Sequence, residues 1–214
     1  MATKRLIDLF NLGGIFMWPL LLCSIVALAV ILERLIVLSR KRVSQEKFMD
    51  EILGKLRNRE IEETKMVLRR FTSPVTSILE AGVSSFQLGI DRVEKAIEKR
   101  ATVELFSLER GLNILGTISS IAPLLGFLGT VSGMIQAFRA IALAERVNAQ
   151  LVATGIYEAL ITTATGLIIA IPVTAFHNYF IRKIDCFVVE MEDTSGQLVD
   201  TLIEVRNQMS EVRG

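Results

Sequence analysis

Three stretches of this 214-residue chain run long enough without basic charge to cross a bilayer, and that constraint outweighs every other feature of the sequence. A spanning helix needs about 20 consecutive apolar residues, because an ionised side chain in hydrocarbon costs several kcal/mol. The first run lies between Asp8 and Glu33 and the second between Arg110 and Arg139. The third lies between Arg146 and Arg182, with Glu158 as its one acidic interruption. Only four prolines occur, with no repeat or low-complexity stretch, so the chain reads as long helices with few linkers. The expected fold is therefore all-α: a polytopic membrane protein with three transmembrane helices and long cytoplasmic helical extensions.

Composition removes other classes. Lys and Arg number 24 against 23 Asp and Glu, a net charge of +1, so nothing in the charge balance points to nucleic acid. Cys23 and Cys186 lie far apart and His177 is the chain's one histidine, which leaves neither a zinc site nor a disulfide framework. No metal or cofactor is expected. Cys23 reads as a small buried hydrophobe and Cys186 as a reduced cytosolic thiol.

The charges divide the chain as follows. Residues 1–8 form a periplasmic N-terminus, 9–32 the first span, 33–110 a cytoplasmic helical domain, and 111–138 the second span. Residues 139–147 make a short periplasmic loop carrying Glu145 and Arg146, 148–181 the third span, and 182–214 a cytoplasmic C-terminal helix. Trp18 falls where an indole sits among headgroups. The first run has no small-residue cleavage site and continues into Glu33-Arg34 and Arg40-Lys41-Arg42, so it is expected to be retained rather than cleaved as a signal peptide. Lys and Arg crowd the long loop and the segment after the third run, which by the positive-inside rule places the N-terminus outside and the C-terminus in the cytoplasm.

The polar segments also carry helical periodicity. Asp91 and Glu94 have capping-box spacing just after Gly89. From there Val93, Ile97, Ala101, Leu105, Leu108, Leu112 and Leu115 recur every three or four residues, which predicts one continuous helix of about 50 residues, roughly 75 Å, entering the second span. Beyond Arg182, Met191, Leu198, Leu202, Val205 and Met209 fit a packing seam with Ser195 as its polar member.

The second and third runs are rich in small residues. The second contains Gly116-Thr117 and the stretch from Ala122 to Met134 with Gly126, Gly129, Thr130, Ser132 and Gly133. The third contains Gly155, Glu158, Ala159, Thr162, Thr163, Thr165, Gly166 and Pro172. Small residues three or four apart let helix backbones approach closely. These faces look too extensive for a single first span to cover, which predicts a ring-forming homo-oligomer.

Depth follows from counting inward from Arg110 and Arg182. Thr130 lies about 30 Å in and Thr163 about 29 Å, with Thr162 and Thr165 within a turn and Glu158 at about 36 Å, nearer the outer mouth. A bundle of such hairpins would carry a hydroxyl collar in an apolar wall. Each threonine taken alone reads as a hydroxyl bonded to its own helix backbone. Glu158 admits two readings, a proton-pathway carboxylate or an ion pair with an arginine of a neighbouring subunit. His177 reads as an interfacial histidine, and Glu33 and Arg34 as anchors of the first span.

The stretches Ala122 to Phe138 and Gly155 to Pro172, with Glu158-Ala159-Leu160, Thr163-Ala164-Thr165-Gly166-Leu167 and the trailing Asn178-Tyr179-Phe180, resemble the ExbB/TolQ/MotA proton-channel family. The three-span layout is similar to its ExbB/TolQ branch. The resemblance implies a subunit of the bacterial inner membrane that forms a pentamer around a single-span partner of the ExbD/TolR type. Proton-motive force would then be converted into work on a TonB- or TolA-like protein, for energised outer-membrane transport or envelope maintenance. It implies Thr130, Thr163 and Glu158 as proton-pathway residues, with Thr162 beside them. No Asp or Lys lies in any span, so the relay carboxylate that the resemblance implies belongs to the partner.

Two other functions compete with this one. An intramembrane protease would pair Ser132 with His177, but their depths differ by about 25 Å, far beyond hydrogen-bond reach. A structural membrane scaffold of another envelope complex would explain the helices and leave the hydroxyl collar with Glu158 above it unexplained. Thr and Glu alone leave proton and sodium both open.

Overall fold

The computed structural model describes residues 13–39, 45–71, 73–143 and 149–211, and these are helical with short turns and no strand among them. The helices are α1 (Met17–Ser39), α2 (Gln45–Arg57), α3 (Ile61–Arg70), α4 (Pro74–Ser85), α5 (Ile90–Glu109), α6 (Leu112–Leu143) and α7 (Ala149–Glu211), with a 3₁₀ turn over Phe86–Leu88. Three of them, α1, α6 and the first part of α7, lie in segments long and apolar enough to cross a membrane. The charged N-terminus, the Arg40-Lys41-Arg42 cluster and the loop residues Glu145 and Arg146 fall outside the described residues.

The chain forms two compact units, Met1–Arg34 with Gly111–Phe180, and Leu35–Arg110 with Ile181–Gly214. In the first unit, α1, α6 and α7 pack with alternating direction. A Cβ built on Gly13, before α1, would lie 3.5 Å from Ile161 of α7, and one on Gly111, before α6, would lie 3.3 Å from Val30 near the other end of α1. Gly116 of α6 faces His177 of α7 in the same way, at 3.2 Å. One end of the unit thus gathers Arg34, Gly111 and His177, and the opposite end gathers Gly14 and Glu158. Leu20, Ala27, Ile31 and Arg34 form the buried stripe of α1, while Trp18, Leu22, Ile25, Leu28 and Leu32 are exposed and apolar, as lipid contact requires.

The second unit is a helical packing around Ile52, Leu56, Leu68, Ile78, Leu79, Val83, Val93, Leu198 and Leu202. Here α4 starts with Pro74 at its first position and a reciprocal cap. Ser73 Oγ accepts from the Thr76 amide at 3.2 Å, and the Ser73 amide donates to Thr76 Oγ1 at 3.0 Å. Gly82 is the contact point of three helices, since a Cβ there would stand 2.9 Å from Leu198 of α7 and 3.0 Å from Ile97 of α5. The seam expected in the last helix is buried at Met191, Leu198, Leu202 and Val205, with Thr194 alongside, whereas Met209 is exposed.

Two local expectations are corrected. The helix running from the polar domain into the second span is interrupted: α5 stops at Glu109, Arg110 is extended (φ −52°, ψ 128°) and Gly111 takes φ +83°. A residue at positive φ cannot continue a right-handed helix, and Gly adopts that conformation without a Cβ penalty. Periodicity does not detect the break because the apolar spacing resumes in phase at Leu112. The capping box at Asp91 and Glu94 is absent. Gly89 at φ +100° is the N-cap, no side chain caps the helix, and Asp91 sits inside the first turn, where its charge favours the dipole.

Candidate functional site

The second and third apolar helices meet along a row of bare Cα positions. A Cβ on Gly126 would come within 3.0 Å of the Thr162 carbonyl, one on Gly133 within 3.0 Å of Ala159, and one on Gly166 within 2.6 Å of the Ala122 carbonyl. Gly155 faces Ala137, where an added Cβ would lie 2.6 Å from that alanine's. The small residues singled out in both stretches are thus used against each other within one chain. That removes their excess as a reason for an oligomeric ring. What the hairpin leaves exposed is instead large and apolar: Leu124, Phe127, Val131, Ile135 and Phe138 on α6, and Leu160, Ile168 and Ile171 on α7.

Into this close contact the threonines project. Thr163, half-buried, donates its hydroxyl across the helix pair to the Gly126 carbonyl at 2.9 Å. Only a glycine lets the α7 backbone approach near enough for so short a side chain to reach. Thr162 is buried opposite Gly129 and donates to the Ala159 carbonyl of its own helix at 2.8 Å. Thr130, half-buried, donates to Phe127 O at 2.6 Å, and Thr165 donates to Ile161 O at 2.8 Å. Since Thr162 faces Gly129 and Thr163 bonds Gly126, the α7 threonines and Thr130 lie within about one turn of each other in depth. The hydroxyl protons of Thr130, Thr162 and Thr163 are engaged, and each oxygen keeps acceptor capacity.

Glu158 stands one turn above Thr162 on α7 and is half-buried. Among the described residues no cation forms an ion pair with its carboxylate. Its neighbour is the turn before α1, where Gly14 has φ +69° and an added Cβ would collide with Glu158 Oε1. Sequence reasoning did not find this neighbour. The signal available was the Gly13-Gly14 pair itself, just before the apolar body of the first run.

The remaining candidates separate. His177 is half-buried over Gly116, while Ser132 accepts from Gln136 Nε2 at 3.4 Å. Gly116 and Ser132 are 16 residues apart on α6, about 24 Å, so no nucleophile and base come together. Arg34 is 3% exposed, with its guanidinium on Glu33 at 2.9 Å, so it is a packed residue of α1 rather than a surface anchor. Its alignment with Ala27, Ile31 and Leu38 was the signal for that burial. An apolar pocket of about 330 Å³ opens between α1 and α6, lined by Leu22, Cys23, Val26 and Thr117 among others. Among the described residues no three His, Cys, Asp or Glu cluster as metal ligands.

Comparison with known proteins bears on what this hairpin is. Residues 70–193, more than half of the chain and containing both small-residue stretches, match the model of the MotA/TolQ/ExbB proton channel family. The chain belongs to that family. A biopolymer transport protein of the ExbB-like kind from Synechocystis sp. is 36% identical over 179 residues, 79% of this chain and 68% of that one. ExbB of Salmonella typhimurium is 36% identical over 109 residues, 51% of this chain and 45% of its own length. The Tol-Pal system protein TolQ of Haemophilus influenzae is 35% identical over 107 residues, 50% of this chain and 45% of that one. The chain therefore spans less than half the length of several ExbB and TolQ relatives it matches. These likenesses support the ExbB/TolQ branch, and together with three apolar helices they make this a multi-pass membrane protein of a proton channel family.

Proposed function

We propose that this family member is an inner-membrane subunit that assembles as a pentameric ring around a single-span partner of the ExbD/TolR type, and converts proton-motive force into work on a TonB- or TolA-like protein. The observation that carries the proposal is the polar seam of the α6–α7 hairpin: Thr163 bonded to Gly126 O at 2.9 Å, with Thr130 and Thr162 within a turn and the half-buried Glu158 one turn above. An apolar wall offers a proton no resting place. Hydroxyl oxygens that keep acceptor capacity at one depth can hold water or receive a hydrogen bond from a protonated carboxyl group. This chain has no second carboxylate in its spans, which fits the family resemblance, where the titrating group is an aspartate on the single-span partner.

In this reading Glu158 lies near the periplasmic mouth and admits protons, the hydroxyl level hands them past the partner's aspartate, and the end carrying Arg34 and His177 faces the cytoplasm. The N-terminus is then periplasmic, and the polar helical unit and C-terminus are cytoplasmic. The exposed apolar faces of α1, α6 and α7 are available to lipid and to neighbouring subunits. The test is co-purification with a candidate ExbD/TolR-like protein, followed by chain counting and by proton flux in proteoliposomes under an imposed gradient. Flux that needs both proteins is expected. A complex that assembles and stays proton-tight with a competent partner would overturn the motor reading and favour a scaffold.

A further inference from the structure

The turn that precedes the first apolar helix lies against Glu158. Gly14 holds φ +69°, and its carbonyl accepts the Met17 amide at 3.2 Å, which closes the turn directly onto the start of α1. Gly13 is buried. A Cβ added there would stand 2.5 Å from Met17 Cγ and 3.5 Å from Ile161 Cγ2, so the turn is wedged between the first residue of α1 and α7. A Cβ on Gly14 would collide with Glu158 Oε1 and lie 3.5 Å from Glu158 Cδ. Gly14 thus lets the backbone approach this carboxyl group more closely than any residue with a Cβ could, while Gly13 lets the turn pack against Met17 and Ile161.

We propose that the Gly13–Gly14 turn covers the Glu158 carboxyl group and sets its position, making Gly14 a positioning residue for the pathway proposed above. The inference rests on that reading for its functional meaning but not for its geometry. The covering backbone adds no side chain of its own, so it screens one side of the carboxyl group without supplying a cation that would fix it as a permanent ion pair. Opening of the turn controls how readily that group meets water or a reagent.

The test reads access to the carboxyl group directly. The full chain in lipid nanodiscs is treated with dicyclohexylcarbodiimide, and N-acylurea formation at position 158 is followed by mass spectrometry. Gly14→Ala is expected to raise the labelling rate several-fold, because the added methyl displaces the turn. Gly14→Asn, which accepts positive φ more readily, carries the same Cβ and should do the same if the alanine variant fails to fold. Backbone strain is separated from the contact by repeating Gly14→Ala on a Glu158→Asp background. There the side chain is one methylene shorter and leaves room for the methyl, so the acceleration should shrink below twofold. Unchanged labelling in Gly14→Ala and Gly14→Asn, or the same acceleration on both backgrounds, would overturn the proposal. Faster labelling in Gly14→Ala, together with undiminished proton flux through an assembled complex carrying Glu158→Gln, would uphold the cover while removing Glu158 from the proton pathway.

Discussion

The Thr163 hydroxyl donates to the Gly126 carbonyl at 2.9 Å across 37 residues of sequence. Thr130 lies four residues beyond Gly126 on α6, about one turn, so the two threonines stand beside the same stretch of the seam. An interhelical hydrogen bond of this kind in a membrane is worth only about 0.6 kcal/mol on average. Thr163→Val, which keeps the shape, should therefore leave the hairpin folded and assembled. Combined with Thr130→Val it is expected to abolish proton-motive coupling. Thr117→Val is the control, since that exposed hydroxyl bonds Asn113 O of its own helix, 2.7 Å away, near the far end of α6. Proton flux and assembly measured side by side would distinguish the roles, and equal damage at all three positions would point to helix packing.

Glu158→Gln retains the size of the side chain and removes its charge. Coupling should fall to background while the oligomer survives, because no cation among the described residues depends on this carboxylate. Loss of the oligomer on size-exclusion chromatography would instead assign Glu158 to an ion pair between subunits.

Gly166→Ala places a methyl 2.6 Å from the Ala122 carbonyl, where backbone must move. Overpacking of this sort costs about 1–3 kcal/mol, so thermal stability should fall. Gly196→Ala, on the same helix with nothing within 4 Å, should raise stability by about 0.5–1 kcal/mol through helix propensity alone. Opposite signs at two glycines of α7, read in one melting experiment, would confirm that Gly166 sits at a close backbone approach and Gly196 does not.

In the polar unit, the Lys55 ammonium donates to Glu63 at 2.9 Å, and this hydrogen bond holds the Glu63 carboxyl below its ordinary value and raises Lys55 above its own. A depressed carboxylate contributes stability above its unfolded pKa and loses it as pH falls through the folded value. A raised lysine contributes below its unfolded pKa and loses it as pH rises through the folded one. Lys55→Met should therefore move the Glu63 titration upward toward the usual carboxylate range, as observed by carboxyl NMR. Glu63 is solvent-exposed and Lys55 partly so, so global stability at neutral pH should change little.

Much of the architecture was legible before any tertiary contact was known. Charge-free length identified three spans, because the cost of burying charge in hydrocarbon is large and local. Counting residues brought Thr130 and Thr163 to within about a turn of each other in depth, since helical rise is nearly constant. Periodicity found the seam at Met191, Leu198, Leu202 and Val205, because one side of that helix meets water and the other does not. Helix rotation was not legible in the spans, whose residues are apolar on every side and carry no amphipathic signal. Packing alone decided that Gly126 faces Thr163, that the small-residue stripes are spent within the hairpin, and that Arg34 is buried. The break at Gly111 and the turn of Gly13 and Gly14 over Glu158 depend on positive φ and on bare Cα atoms meeting distant side chains. A glycine's composition and spacing are the same whether its missing Cβ faces solvent or a carboxylate, so only the folded chain distinguishes the two.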